Sequence, residues 1–202
     1  KLWRHSTYHG GYGAIYSLGK IPTGYSHIFM RYYMKIPTEF DSTQYFKGWR
    51  MNTTSGEIYL GFFPGSGSFK NGYMAIGVST WTTILSGANF QTIRDGNWHC
   101  LEFEMDITNS VFNLWVDGVK KYANSSYSYG SIGTFRGLQH FSIGNTLDHT
   151  GKWQSSWQAM ELDDFILSTT YIGPDSDSSS QDINTDNNPP ANPTGIQIQV
   201  IN

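Results

Sequence analysis

Apolar and polar residues alternate with a period of two along several stretches of the chain, the pattern of strands with one buried face. Residues 27–36 (HIFMRYYMKI) place Ile28, Met30, Tyr32, Met34 and Ile36 on one side. His27, Phe29, Arg31, Tyr33 and Lys35 fall on the other, and Pro37, which has no amide to give to a ladder, ends the run. Residues 57–63 and 73–80 repeat the period, with Ile58, Leu60, Phe62 and Met74, Ile76, Val78 directed inward. The clearest hairpin follows. Residues 98–107 (WHCLEFEMDI) turn Leu101, Phe103, Met105 and Ile107 in, and Glu102, Glu104 and Asp106 out. A Thr108-Asn109-Ser110 turn leads into residues 111–117 with Phe112, Leu114 and Val116 inward, and Asp117-Gly118 closes that strand. Residues 138–145 (LQHFSIGN) and 160–168 (MELDDFILS) bring the strands to seven or more. Short strands at regular spacing predict an all-β antiparallel sandwich, a jelly roll with little helix.

Composition agrees with that reading. Aromatic residues make up 16% of the 202 residues and charged ones only 14%, with 22 glycines among many turn formers. After Gly173 the character changes: residues 174–202 hold four of the seven prolines, no Lys or Arg and no aromatic residue. The expected division is a sandwich over 1–173 and a linker or tail over 174–202. Within the tail, residues 195–202 (GIQIQVIN) alternate like a short strand that an open sheet edge could take, against plain disorder as the other reading. The whole chain carries a net charge of −3, yet residues 1–50 hold seven basic residues against two acidic ones. That excess is too small for a nucleic-acid footprint but suits an acidic sugar. No apolar run approaches the ~18 residues of a membrane span, so no membrane insertion is expected. The lone cysteine, Cys100, reads as a small buried hydrophobe on a strand. With Lys1 first and no hydrophobic leader, a secreted protein whose signal peptide has been removed is expected.

Two segments carry a family resemblance. Residues 95–121 (DGNWHCLEFEMDITNSVFNLWVDGVKK) resemble a hairpin that recurs in concanavalin A-like lectins and glucanases. Residues 160–173 (MELDDFILSTTYIG) resemble the last strand of the same fold, especially in its heparin-lyase-like and LamG-like members. The resemblance implies the concanavalin A-like sandwich and a polysaccharide partner. The glucanases of this fold use a Glu-x-Asp-x-(x)-Glu strand. Here residues 56–62 (GEIYLGF) begin alike, but Tyr59 stands where the Asp would be and no second Glu follows. Retaining hydrolysis needs two carboxylates roughly 5 Å apart, so hydrolysis is not expected, and Tyr59 joins the candidate sugar contacts.

The other chemistry on this fold is β-elimination of a uronate polymer. It needs a group that neutralises the carboxylate, a base for the C5 proton and an acid for the leaving oxygen. The polar face of residues 27–36 offers His27, Arg31, Tyr33 and Lys35 at about 6.6 Å per step, a cationic and aromatic stripe with no acid in it. Arg31 and Tyr33 are its candidate catalytic residues, with His140, which the alternation directs outward, as candidate base. An ordinary outer face with a cation–π pair is the competing reading of the stripe, and a structural histidine that of His140. Sugar rings also stack on aromatics. Trp115 has outward parity and Trp49 lies in the basic stretch YFKGWR, while Trp81, Trp153 and Trp157 fall in irregular sequence.

The resemblance also implies a structural Ca²⁺ near Asp163-Asp164. Asp163 shares inward parity with Phe165 and Leu167, and so needs a cation, a Lys or Arg, or backbone amides as partner. No organic cofactor is expected. Three functions remain open: a lyase for an acidic polysaccharide, which is preferred, a non-catalytic carbohydrate-binding or LamG-like module, and a structural or adhesion domain.

Overall fold

The computed structural model describes residues 15–22, 24–41, 45–141, 160–174 and 200–201. Trp153, Trp157 and residues 175–199 lie outside them. Twelve strands and one short helix form two six-stranded sheets among the described residues. The first sheet has the order β1 (Ile15–Lys20), β10 (Phe135–Phe141), β3 (Phe46–Thr53), β4 (Glu57–Gly65), β5 (Ser68–Gly77), β6 (Trp81–Ser86). The second runs β12 (Val200–Ile201), β11 (Glu161–Ser168), β2 (His27–Lys35), β7 (Trp98–Asp106), β8 (Val111–Val116), β9 (Val119–Asn124). Helix α1 (Gly87–Thr92) links β6 to β7 and buries Phe90. This is the expected all-β sandwich. The pairings are antiparallel except that of β12, which lies parallel to β11 at the sheet edge. No helix among the described residues is long and apolar enough to cross a membrane.

The core lies where the alternation puts it. Met30, Tyr32, Leu101, Phe103, Met105, Phe112 and Leu114 are buried between the sheets. Phe103 stacks on Tyr32 at 5.7 Å and takes the edge of Trp49 at 5.4 Å. Cys100 is buried, and burial pushes its thiol up to about 12. The hairpin turns follow from local chemistry. Asp117 and Gly118 both have positive φ, +51° and +75°, the backbone of a type I′ turn that suits Asp-Gly. Between β7 and β8 the Asp106 carboxylate accepts the Asn109 amide at 2.9 Å, and Ser110 sits at φ +60°.

Strand β3 was not legible in the alternation, and the reason is visible. Its pairing with β4 shifts register between Lys47 and Arg50. A bulge of this kind breaks the period of two, because one strand spends an extra residue against its partner. The same device changes β11, where the register with β2 shifts between Asp163 and Ile166 and Asp164 takes φ +52°. Leu167 still lies opposite Met30 in the core, but Asp163 lies opposite Tyr33, on the side of the sheet away from the core. Its expected inward parity is thereby corrected.

One charged clamp ties the hairpin ends together. The two ring nitrogens of His99 face Asp117 Oδ2 at 2.7 Å and Asp95 Oδ1 at 2.9 Å, while Asp117 Oδ1 accepts the Cys100 amide at 2.8 Å. Burial opposes protonation of His99, but the hydrogen bonds and charges of Asp117 and Asp95 outweigh it and raise the pKa above that of an ordinary histidine. Burial likewise works against Asp95, and the bonds from His99 and Asn97 more than reverse it, so its pKa is lowered. The raised histidine stabilises the fold below its unfolded value, and this is lost as pH rises through the folded value. The lowered aspartate stabilises above its own unfolded value, and this is lost as pH falls through the folded one. The clamp is therefore at full strength between roughly pH 4 and pH 6.5. Melting curves of wild type and His99→Gln are expected to differ most in that window and to converge at higher pH. A difference independent of pH would rule out an imidazolium clamp.

Candidate functional site

A cluster of interacting cationic and aromatic side chains lies on the outer face of the first sheet. Directly opposed residues of antiparallel strands project to the same side, and one line of opposed residues crosses five strands. Gln139 on β10 lies opposite Arg50 on β3, and Arg50 opposite Tyr59 on β4. Tyr59 lies opposite Gly77 on β5, and Gly77 opposite Trp81 on β6. The β3 bulge makes this line possible. It sends Trp49 into the core and leaves Arg50 on the outside.

Side chains along the line hold one another. Arg50 Nε donates to Gln139 Oε1 at 2.7 Å, and its Nη2 donates to the same oxygen. Arg50 Nη1 meets Glu57 Oε1 at 2.8 Å, and the Tyr59 hydroxyl donates to Glu57 Oε2. The Lys47 ammonium stands 4.0 Å above the centroid of the Tyr59 ring. Burial lowers the Lys47 pKa, Glu57 pulls it partly back, and Arg50 lowers it further. Beside these groups runs an aromatic row. Tyr45, Phe63 and Tyr73 stack nearly parallel, with centroids 5.4 and 5.1 Å apart. Trp81 takes a T-shaped place on Phe63 at 5.0 Å. Tyr45 and Trp81 are exposed. Such an arrangement can seat a carboxylate between fixed donors and stack the apolar faces of sugar rings.

The stripe on β2 has a different setting. Read on one strand it lacks an acid; in the sheet it is surrounded by acids. Strand β7 sets Asp106, Glu104 and Glu102 opposite His27, Phe29 and Arg31. His27 Nε2 meets Glu104 Oε1 at 3.0 Å, and its Nδ1 lies 3.6 Å from Asp106. Arg31 pairs with Asp164 Oδ2 at 2.5 Å, donates to the Gly173 carbonyl at 3.2 Å, and is only 2% exposed. The segment after β11 lies over this face, since Glu102 accepts the amides of Ile172 and Gly173, each at 2.7 Å. Tyr33 is buried with Arg31 5.3 Å from its ring centroid, the cation–π pair of the competing reading. Lys35 is half-buried at the strand end, opposite Trp98. Trp115 does face outward, but it is half-buried between Phe29, Tyr171 and the Lys120 ammonium. The expectation of an acid-free stripe open to sugar is thus corrected: partners from two neighbouring strands neutralise it and a chain segment covers it.

Of the other expected contacts, Tyr59 joins the cluster on the first sheet. Trp49 is a core residue, 1% exposed, and this corrects its assignment to sugar. His140 follows Gln139 on β10, its backbone opposite Trp49, and its side chain lies outside the described residues. Lys47, Arg50, Glu57, Gln139 and Trp81 were missed as a group. The one signal for them was the basic stretch YFKGWR, whose broken alternation marks the bulge.

The two aspartates for which calcium is expected already have protein partners. Asp164 already has the Arg31 guanidinium as counter-charge, and Asp163 Oδ1 accepts the Asp164 amide at 2.8 Å. Calcium asks for six to eight oxygens, and no group of three or more His, Cys, Asp or Glu side chains that could hold a metal occurs among the described residues.

No family model matches the chain, and no curated protein sequence matches it. Among solved structures it is similar to an endo-β-1,4-glucuronan lyase from the fungus Trichoderma reesei, with 12% identity and a TM-score of 0.53 over 81% of this chain and 76% of that one. It is also similar to the alginate lyase Aly36B in complex with an alginate trisaccharide, with 9% identity and a TM-score of 0.47 over 74% and 77% of the two chains. The receptor binding domain of botulinum neurotoxin D shows 14% identity and a TM-score of 0.48 over 74% of this chain. This chain spans about a third (34%) of that domain. At these identities the likeness is one of fold, and the first of the three supports the two-sheet β-sandwich.

Proposed function

We propose that this chain is an extracellular polysaccharide-recognising sandwich that cleaves an acidic, uronate-containing glycan by β-elimination on the outer face of its first sheet. The observation that carries the reading is the line Gln139–Arg50–Tyr59 with the Lys47 ammonium above the tyrosine ring. A sandwich of the same fold in the glucuronan lyase adds support for the substrate class. In this reading Arg50, oriented by Gln139, binds the uronate carboxylate and stabilises the charge that develops when C5 loses its proton. Lys47 takes that proton in its neutral form. The C5–H electron pair becomes the C4–C5 double bond, the C4–O bond breaks, and the Tyr59 hydroxyl gives its proton to the leaving oxygen.

Incubation with glucuronan, alginate and heparin-like polymers is expected to raise ultraviolet absorbance as unsaturated uronate ends form. With Lys47 as base, kcat/KM is expected to rise with pH through the lowered Lys47 pKa, ahead of the ordinary lysine range of about 10.4. A rise near the ordinary range, or none, would transfer the base to another group. A non-catalytic binding module has one observation in its favour: Glu57 ties Arg50 and Tyr59 into a self-satisfied network. Retardation of the protein in gels containing the polymer, with no gain in absorbance, would replace the lyase by that module.

A further inference from the structure

Trp81 is 41% exposed, a large apolar surface to leave in water on a strand at the edge of its sheet. Its indole does not stand up from β6. It lies down over β5 and β4, where Gly77 and Gly61 have no side chains. A Cβ on Gly61 would come within 2.7–2.9 Å of the rings of Phe63 and Trp81, and one on Gly77 within 2.8–3.2 Å of the indole. The glycines thus make a seat, Phe63 braces the indole at 5.0 Å, and much of the residue remains exposed. The seat brings the Trp81 centroid to 6.5 Å from that of Tyr59, about the span of one pyranose unit.

We infer that Trp81 forms a stacking subsite for the sugar unit next to the one whose carboxylate is held by Arg50, taking the apolar C–H face of that ring. The assignment rests on the acidic-glycan reading for its neighbour but draws on a different force. Arg50 and Lys47 attract charge, whereas an indole face binds any pyranose with exposed axial hydrogens. The line from Gln139 to Trp81 runs across the strands, which sets the direction of the bound glycan: across the sheet rather than along a strand. Nearer units meet the cations, and the chain continues over the aromatic row. The bland alternative is that Trp81 only shields the glycine backbone at an edge. That role requires no sugar, and its loss would be felt in stability alone.

Calorimetry with glucuronan oligomers of increasing length and with neutral cello-oligosaccharides separates the cases, using wild type, Trp81→Ala, Trp81→Phe and Arg50→Gln. The wild type is expected to bind longer oligomers more tightly than the dimer. Trp81→Ala is expected to lose about tenfold, the factor that 1.4 kcal/mol represents, together with the gain from length. Trp81→Phe keeps an aromatic face and is expected to recover most of it. Arg50→Gln is expected to lose preference for the acidic oligomers while its binding of neutral ones stays sensitive to Trp81. Trp81→Ala binding every oligomer as the wild type does, with a lowered melting temperature, would overturn the subsite and leave the proposed function intact. Neutral and acidic oligomers bound equally, both through Trp81, would support the subsite and remove the acidic substrate. No binding by any oligomer would overturn both.

Discussion

Arg50→Ala is expected to lower kcat/KM on a uronate polymer at least a hundredfold while leaving the domain folded. Removal of one fixed donor to a developing oxyanion costs on the order of 10²–10³ in rate, and Arg50 does more than one donor's work. It faces Gln139 with Nε and Nη2 and Glu57 with Nη1, and so fixes the orientation of both neighbours. Without it, the Glu57 carboxylate would face an incoming uronate with Lys47 as the nearest remaining cation of the cluster, and like charges would repel. Arg50→Lys is expected to recover little, because an ammonium is a point charge and lacks the planar fork that meets two partners at once. The side chain is partly exposed, and only surface-type contacts are lost, so the melting temperature is expected to fall little. Product absorbance measures the rate and gel retardation in the polymer measures binding. Wild-type values in both would remove Arg50 from the site and move the search to another face.

The other large effect is on stability and comes from the opposite sheet. Arg31→Ala is expected to destabilise the protein by about 3–5 kcal/mol, the usual cost of removing one partner from a buried ion pair. Arg31 lies between Glu102, opposite it on β7, and Asp164 on the β11 bulge, and it also holds the Gly173 carbonyl. Burial raises the Glu102 pKa, and the amides of Ile172 and Gly173 together with the Arg31 charge bring it partly back. Loss of the guanidinium therefore leaves two carboxylates without their shared cation and frees the segment over residues 169–173. Urea midpoints of wild type, Arg31→Ala and Arg31→Met measure the change, the methionine keeping most of the side-chain volume. Glycan binding by the folded fraction is expected to be unaltered. A small shift in midpoint together with lost binding would restore Arg31 to the sugar site. The two variants are thus expected to form a cross: Arg50→Ala alters binding and turnover, and Arg31→Ala alters stability.

Neither arginine can be assigned from its own strand. On β2 the alternation correctly separates Met30, Tyr32 and Met34 from Phe29, Arg31 and Tyr33, but it says nothing of what lies across the outer face. The acids of β7 are some seventy residues away in sequence, and Asp164 and Gly173 still farther, so the charge of the stripe is cancelled by residues that only strand pairing brings near. On β3 even the local pattern fails. The register shift between Lys47 and Arg50 exchanges the faces of Trp49 and its neighbours, so a tryptophan expected to meet sugar is in the core and an arginine beside it is outside. Tyr59 needed no such correction, because β4 keeps its period through that residue and Ile58 and Leu60 mark the core side.

What the sequence determined by itself is the sandwich. Alternation with a period of two is set by which side chains must leave water, and the Asp117-Gly118 turn by what its backbone can adopt. Both are properties of a few adjacent residues. Only the tertiary structure decided what each outer face carries among the described residues. The outer surface of one sheet is neutralised and covered by a returning segment, and that of the other carries Gln139, Arg50, Tyr59 and Trp81 in line. Those outcomes depend on register, on two bulges that shift phase by one residue, and on charges paired across strands. They are sums over distant partners, and no stretch of chain contains them.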